Sequence, residues 1–122
     1  VTPRLAAATG SCNGGVLVAA GGYADGDAAF RPLASAEGLG PVGAGVSAFA
    51  WAELAPLQTP RLRAAAANAD SRIYILGGCG SAGEALASVE TWGGGEEGAQ
   101  RWAAGPPLST SRDAAAAVAA RF

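Results

Sequence analysis

A chain of 122 residues and 11.8 kDa is long enough to bury a core of its own. Its 50% hydrophobic residues, 15% charged residues and 19 glycines exclude a disordered tail and point to an ordered, turn-rich fold. The net charge is only −2, and the eight basic residues are all Arg and unclustered, so no nucleic-acid backbone is offered a footprint.

Taken in chain order, the sequence reads as short strands separated by turns. "LAAATG" at 5–10 is small and apolar and predicts a first strand. "VLVAA" then runs into Gly21-Gly22 as a second, "PLASAE" at 32–37 carries a third with Glu37, and a run led by Trp51 and ending in Pro makes a fourth. The same order follows again: "LRAAAANA" at 62–69, "RIYIL" into Gly77-Gly78, "ALASVE" at 85–90 with Glu90, and a run led by Trp102. "DAAAAVAA" at 113–120 opens a third round.

The spacing supports a repeat. Arg4 returns as Arg61 after 57 positions and as Arg112 after a further 51; the Gly pair returns after 56 and Trp51 returns as Trp102 after 51. Each Trp precedes the next Arg by ten positions, which confines the length difference to loops, as stacked repeats tolerate. The Ala runs favour helix by intrinsic propensity. Position argues otherwise, because a four-stranded sheet set radially around an axis crowds its innermost strand and admits only small side chains there. A Gly pair ends the second strand where a Cβ would be forbidden.

These features resemble the kelch repeat: the apolar run into Gly21-Gly22 and Gly77-Gly78, the downstream Glu37 and Glu90, the aromatic Trp92, Trp51 and Trp102, then "PL" and the Arg of the next unit. The resemblance implies an all-β fold, a partial kelch-type β-propeller of four-stranded antiparallel blades. Residues 1–58 form a first blade, 59–109 a second, and 110–122 the first strand of a third. The first unit departs from the pattern, with Leu39 where the second has Trp92 and a long Gly-rich loop over 40–50. Propellers typically have about 4 to 8 blades, so the chain reads as a fragment whose remaining blades come from the same or another chain.

Three positions recur and read as scaffold: Arg4, Arg61 and Arg112 holding the blade-to-blade turn through backbone carbonyls, Glu37 and Glu90 making structural hydrogen bonds, and Trp51 and Trp102 packing between blades. Arg63 differs, because its repeat equivalents are Ala6 and Ala114. At the start of an inner strand it points to the mouth of the channel, where the resemblance implies that an arginine holds acidic peptide segments by bidentate pairing. The loop "YADGDAAFRP" at 23–32 shares that rim and brings Tyr23, Asp25, Asp27, Phe30 and Arg31 as partner-binding candidates.

No chemistry of catalysis is legible. With no His, imidazole bases, most zinc sites and Ser-His or Cys-His nucleophiles are excluded within the chain. "DGD" at 25–27 has the wrong glycine spacing and no terminal Glu for a calcium loop, so neither metal nor cofactor is expected. Cys12 and Cys79 fall in turns at opposite ends of the blades, about 17 to 20 Å apart, and are expected as two free thiols. They form no disulfide framework, which makes a cytoplasmic setting the default. No apolar run approaches the roughly 18 residues of a membrane helix. The expectation is a non-enzymatic protein–protein interaction module, a substrate adaptor or a cytoskeletal or ciliary scaffold. The alternative is a fragment of a galactose-oxidase-like propeller enzyme whose active site lies on other blades.

Overall fold

Every regular element is a strand in the computed structural model, which describes residues 3–12, 16–41, 49–93 and 101–114. In chain order they are β1 (Arg4–Leu5), β2 (Ala8–Cys12), β3 (Val16–Ala20), β4 (Tyr23–Ala24), β5 (Ala36–Pro41), β6 (Phe49–Leu54), β7 (Ala65–Ala69), β8 (Arg72–Leu76), β9 (Val89–Gly93) and β10 (Ala103–Ala104). Strands β2-β3-β5-β6 form one antiparallel four-stranded sheet and β7-β8-β9-β10 a second; β1 and β4 pair separately. The strand expected to open a third unit falls mostly on 115–122, outside the described residues.

The two sheets are two copies of one plan. Gly21 N–H donates to Ser35 O at 3.0 Å, and Gly77 N–H to Ser88 O at the same distance. Leu33 N–H donates to Gly22 O and Leu86 N–H to Gly78 O, at 2.7 and 2.8 Å. Between units, Gly22 N–H donates to Arg61 O and Gly78 N–H to Arg112 O, both at 2.8 Å. A Cβ on Gly21 would lie 2.5 Å from Arg61 O, and one on Gly77 equally close to Arg112 O, with φ at +70° and +63°. Glycine closes the second strand because the next unit's backbone arrives there.

Cross-strand register sorts the side chains. Ala8, Ala20 and Ala36 line up across the first sheet, and Gly10 and Val18 follow on the same face. That face meets Ile73, Ile75, Trp92 and Trp102 of the second sheet, where the buried core lies. Strand β2 packs against β7 and β8. A Cβ on Gly10 would come 3.5 Å from Ile73 Cγ2, so the small face admits the large one. Ala in the inner strands serves volume, and tertiary packing overrides its helix preference.

Strand boundaries differ from the sequence reading: the inner strands begin only at Ala8 and Ala65, past the left-handed Ala6 and Arg63, rather than at 5 and 62. The third strands begin only at Ala36 and Val89, after the "LAS" segments, because Ser35 and Ser88 are still occupied by the Gly turn and the Arg side chain. Trp51 lies inside β6, and Trp102 sits just before the short β10.

Candidate functional site

The structural motif is assembled around arginine. Arg61 is 1% exposed. Its Nη1 donates to Gly77 O at 2.9 Å and Ser88 O at 3.0 Å, and its Nη2 to Ser88 Oγ at 2.8 Å and Glu90 Oε2 at 2.9 Å. Burial pushes its guanidinium down from the ordinary value, while Glu90 opposes that by charge and hydrogen bonding. Glu90 also accepts from the backbone N–H groups of Gln58 and Thr59, which tie the units together. Arg4 repeats the arrangement with Gly21 O, Ser35 O, Ser35 Oγ and Glu37 Oε2. Arg112 is exposed, and its backbone carbonyl and amide bond Gly78 and Leu86.

The two Trp positions have different fates. Trp102 is 2% exposed, donates Nε1–H to Ala55 O at 2.9 Å, and packs its ring 5.4 Å from that of Trp92. Trp51, expected between blades, is 43% exposed. Its side chain lies on the face of the first sheet turned away from the second, so among the described residues no sheet covers it.

The rim forms a pocket of about 840 Å³. It is lined from the first unit by Tyr23, Phe30 and Arg31, and from the second by Arg63 and Cys79. Four of the six partner-binding candidates therefore meet there. Asp25 and Asp27 do not line it. Asp27 instead shapes the loop: its carboxylate accepts from the Ala29 and Arg31 N–H groups and from Arg31 Nε at 3.1 Å. The Arg31 hydrogen bond leads in holding the Asp27 carboxyl below the ordinary value. Asp25 donates its N–H to Pro3 O and leaves its side chain in the exposed part of the loop. Phe30 is 58% exposed, meets Tyr23 edge-on at 5.1 Å, and has φ at +50°.

Arg63 stands in a chain of left-handed residues. Ala6, Arg63 and Ala114 have φ of 54°, 54° and 53°. Arg63 N–H donates to Ala6 O at 3.0 Å, and Ala114 N–H to Arg63 O at 3.2 Å, so equivalent residues of successive units are linked head to tail. The Arg63 side chain is not waiting unpaired. Nε and Nη2 grip Asp113 in a fork at 3.0 and 2.7 Å, and this hydrogen bond raises Arg63 and lowers Asp113 from their ordinary values.

The sequence reading missed Asp113 and the place of Cys79. Asp113 occupies the repeat position of Leu5 and Leu62, so the contrast that singled out Arg63 against Ala6 and Ala114 also marks it. Cys79 is a free, buried thiol, and its backbone bridges Leu62 and Ala85 beside the pocket. Cys12 ends β2, and its side chain lies outside the described residues.

No family model matches the chain, and no curated protein matches it closely enough to count as a relative. Solved structures do match. YjhT superposes with a TM-score of 0.72 at 16% identity, over 94% of this chain and 35% of that one. A fungal alcohol oxidase of the AA5 family, solved in complex with copper, superposes with a TM-score of 0.65 at 16% identity, over 90% of this chain and 24% of that one. Both are propellers of the kelch type, and the fold of this chain is theirs. The chain spans about a third and about a quarter of their lengths. The sequence has no His, and among the described residues no three of Cys, Asp and Glu come together.

Proposed function

We propose that this chain is part of a kelch-type propeller that binds another protein through its loop rim, without catalysis of its own. It serves as a substrate adaptor or as a cytoskeletal or ciliary scaffold in the cytoplasm. The observation that carries the reading is the meeting of Tyr23, Phe30, Arg31 and Arg63, large aromatic and cationic side chains from two units, at one pocket on the rim. The left-handed backbone at Arg63 is shared by Ala6 and Ala114 and belongs to the repeat, so what sets Arg63 apart is its side chain. Nothing in the repeat requires a side chain at position 63, since its equivalents are Ala.

A partner carboxylate reaching Arg63 exchanges places with Asp113, an exchange of one bidentate pair for another. A photo-crosslinking residue replacing Phe30 in the full-length protein tests the rim, with the same residue replacing the exposed Arg72 as control. A single protein should be captured from position 30, and Arg63→Ala should weaken the purified pair by roughly tenfold. Equal capture from both positions, or an affinity indifferent to Arg63→Ala, sinks the reading.

The likeness to the alcohol oxidase favours one alternative, a propeller enzyme whose active site lies outside this stretch. Copper-dependent oxidase activity of the full-length protein, unchanged by Arg63→Ala, would establish it.

A further inference from the structure

The rim pocket of about 840 Å³ is within the size range of ligand sites, and its cationic groups are already neutralised. Among the described residues its charged side chains are Arg31 and Arg63, and each guanidinium holds a carboxylate of this chain. Arg31 Nε and Nη2 meet Asp27 at 3.1 and 3.4 Å, and Arg63 Nε and Nη2 fork onto Asp113 at 3.0 and 2.7 Å. Glu84, whose Oε2 accepts from Ala82 N–H between the lining residues Ser81 and Gly83, adds a negative charge at the edge. The rest of the wall is largely apolar: Ala6, Ala29, Pro32 and Leu62 stand around the edge-on pair of Tyr23 and Phe30. Phe30 is held at the surface by its own loop. Its N–H donates to Asp27 O, and the Asp27 carboxylate fastens Ala29 and Arg31 on either side, so its 58% exposure is built in.

We infer that the pocket takes an uncharged aromatic side chain of the protein partner as its anchor. The inference rests on the reading of this rim as a partner-binding surface and names what enters it. A charged side chain is disfavoured with either sign. An acidic one competes with Asp27 and Asp113 while Glu84 repels it, and a basic one faces two guanidinium groups. An aromatic ring loses little on leaving water and gains three kinds of contact: edge or face packing with Tyr23 and Phe30, burial on Leu62, and stacking on guanidinium planes that stay cationic while paired. A single carboxylate of the partner can still reach Arg63, which is half exposed, and displace Asp113 at the lip. The body of the pocket takes no charge.

Saturation-transfer NMR on the full-length protein reads the pocket without the partner, with N-acetyl-tryptophanamide as the neutral probe and N-acetyl-tryptophan as its charged counterpart. The amide should bind about fivefold more tightly than the acid, and Phe30→Ala should weaken it by a similar factor. Ser81→Trp, which sets an indole at an exposed lining position, should compete the amide away while leaving Phe30 in place. An acid bound as tightly as the amide overturns the inference, as does amide binding that is indifferent to both variants or absent at millimolar concentration. Amide binding at Phe30 with no protein captured there would uphold the chemistry of the pocket and sink the partner reading. Capture there with the acid preferred would do the reverse.

Discussion

The two sheets share one sequence plan and differ in what lies against them. The second sheet has the first as a neighbour, and its Arg61, Ile73, Trp92 and Trp102 are buried accordingly. The first sheet repeats the plan with Arg4, Leu17, Leu39 and Trp51, and two of those four are more than two-fifths exposed. Its arginine cluster is nonetheless intact, with side-chain exposures of 7% for Arg4 and 10% for Glu37. The difference teaches that the cluster is closed mainly by its own unit's Gly turn and third strand, whereas the aromatic row is closed by a neighbouring unit. The motif organises a blade; the row joins blades.

The sharpest way to break the comparison is at the arginines. Arg61→Ala leaves Glu90 buried among groups that relied on the pair, and the expected cost is about 3 to 5 kcal/mol in denaturant unfolding. Arg4→Ala should cost less, because Arg4 Nε is already buried without a hydrogen-bond partner and Glu37 is slightly more exposed than Glu90. Equal losses would mean that the covering sheet contributes nothing to the cluster.

The aromatic row comes next. Trp102→Ala removes a fully packed indole and its hydrogen bond, for about 3 to 5 kcal/mol, while Trp51→Ala in this chain alone should stay within about 1 kcal/mol. Thermal midpoints of the two variants check this, and a large loss from Trp51→Ala would show that the first face is already covered. A smaller contrast concerns the turns. Gly77→Ala suffers both the left-handed φ and the approach of Arg112 O, whereas Gly26→Ala, with nothing within 4 Å, suffers only its φ of +82°. Gly26→Ala should cost about 1 kcal/mol and Gly77→Ala clearly more.

The smallest effect is electrostatic. Asp113 and Asp27 are both lowered from the ordinary carboxylate value by Arg63 and Arg31. A depressed folded-state value stabilises the fold above the unfolded value and loses that contribution as the pH falls through the folded one. The stability gap between wild type and Asp113→Asn should therefore be present at neutral pH and vanish in acid below the ordinary Asp range. Urea midpoints across that range test it, and a gap that persists in acid would remove the ion pair as its cause.

How much of this was legible in the sequence depends on the residue. Arg61 and Glu90 could be read as scaffold because both recur, and Arg63 as exceptional because it does not. Asp113 could have been read in the same way, since it replaces the Leu of the two earlier units. The left-handed backbone at Ala6, Arg63 and Ala114 was not legible, because nothing in those side chains asks for it. The exposure of Trp51 was not legible either: its place in the repeat is the place of Trp102.

By itself the sequence determined the period, the strand order, the glycine turns and the arginine that each unit spends on its own turn. Those depend on spacing along one chain and on where a Cβ is forbidden, and both can be read locally. Tertiary structure alone decided that Arg63 is held by Asp113 fifty positions away, and that one Trp is buried while its equivalent is not. Burial and pairing belong to the space between elements, and identical residues acquire different energies there because their neighbours differ.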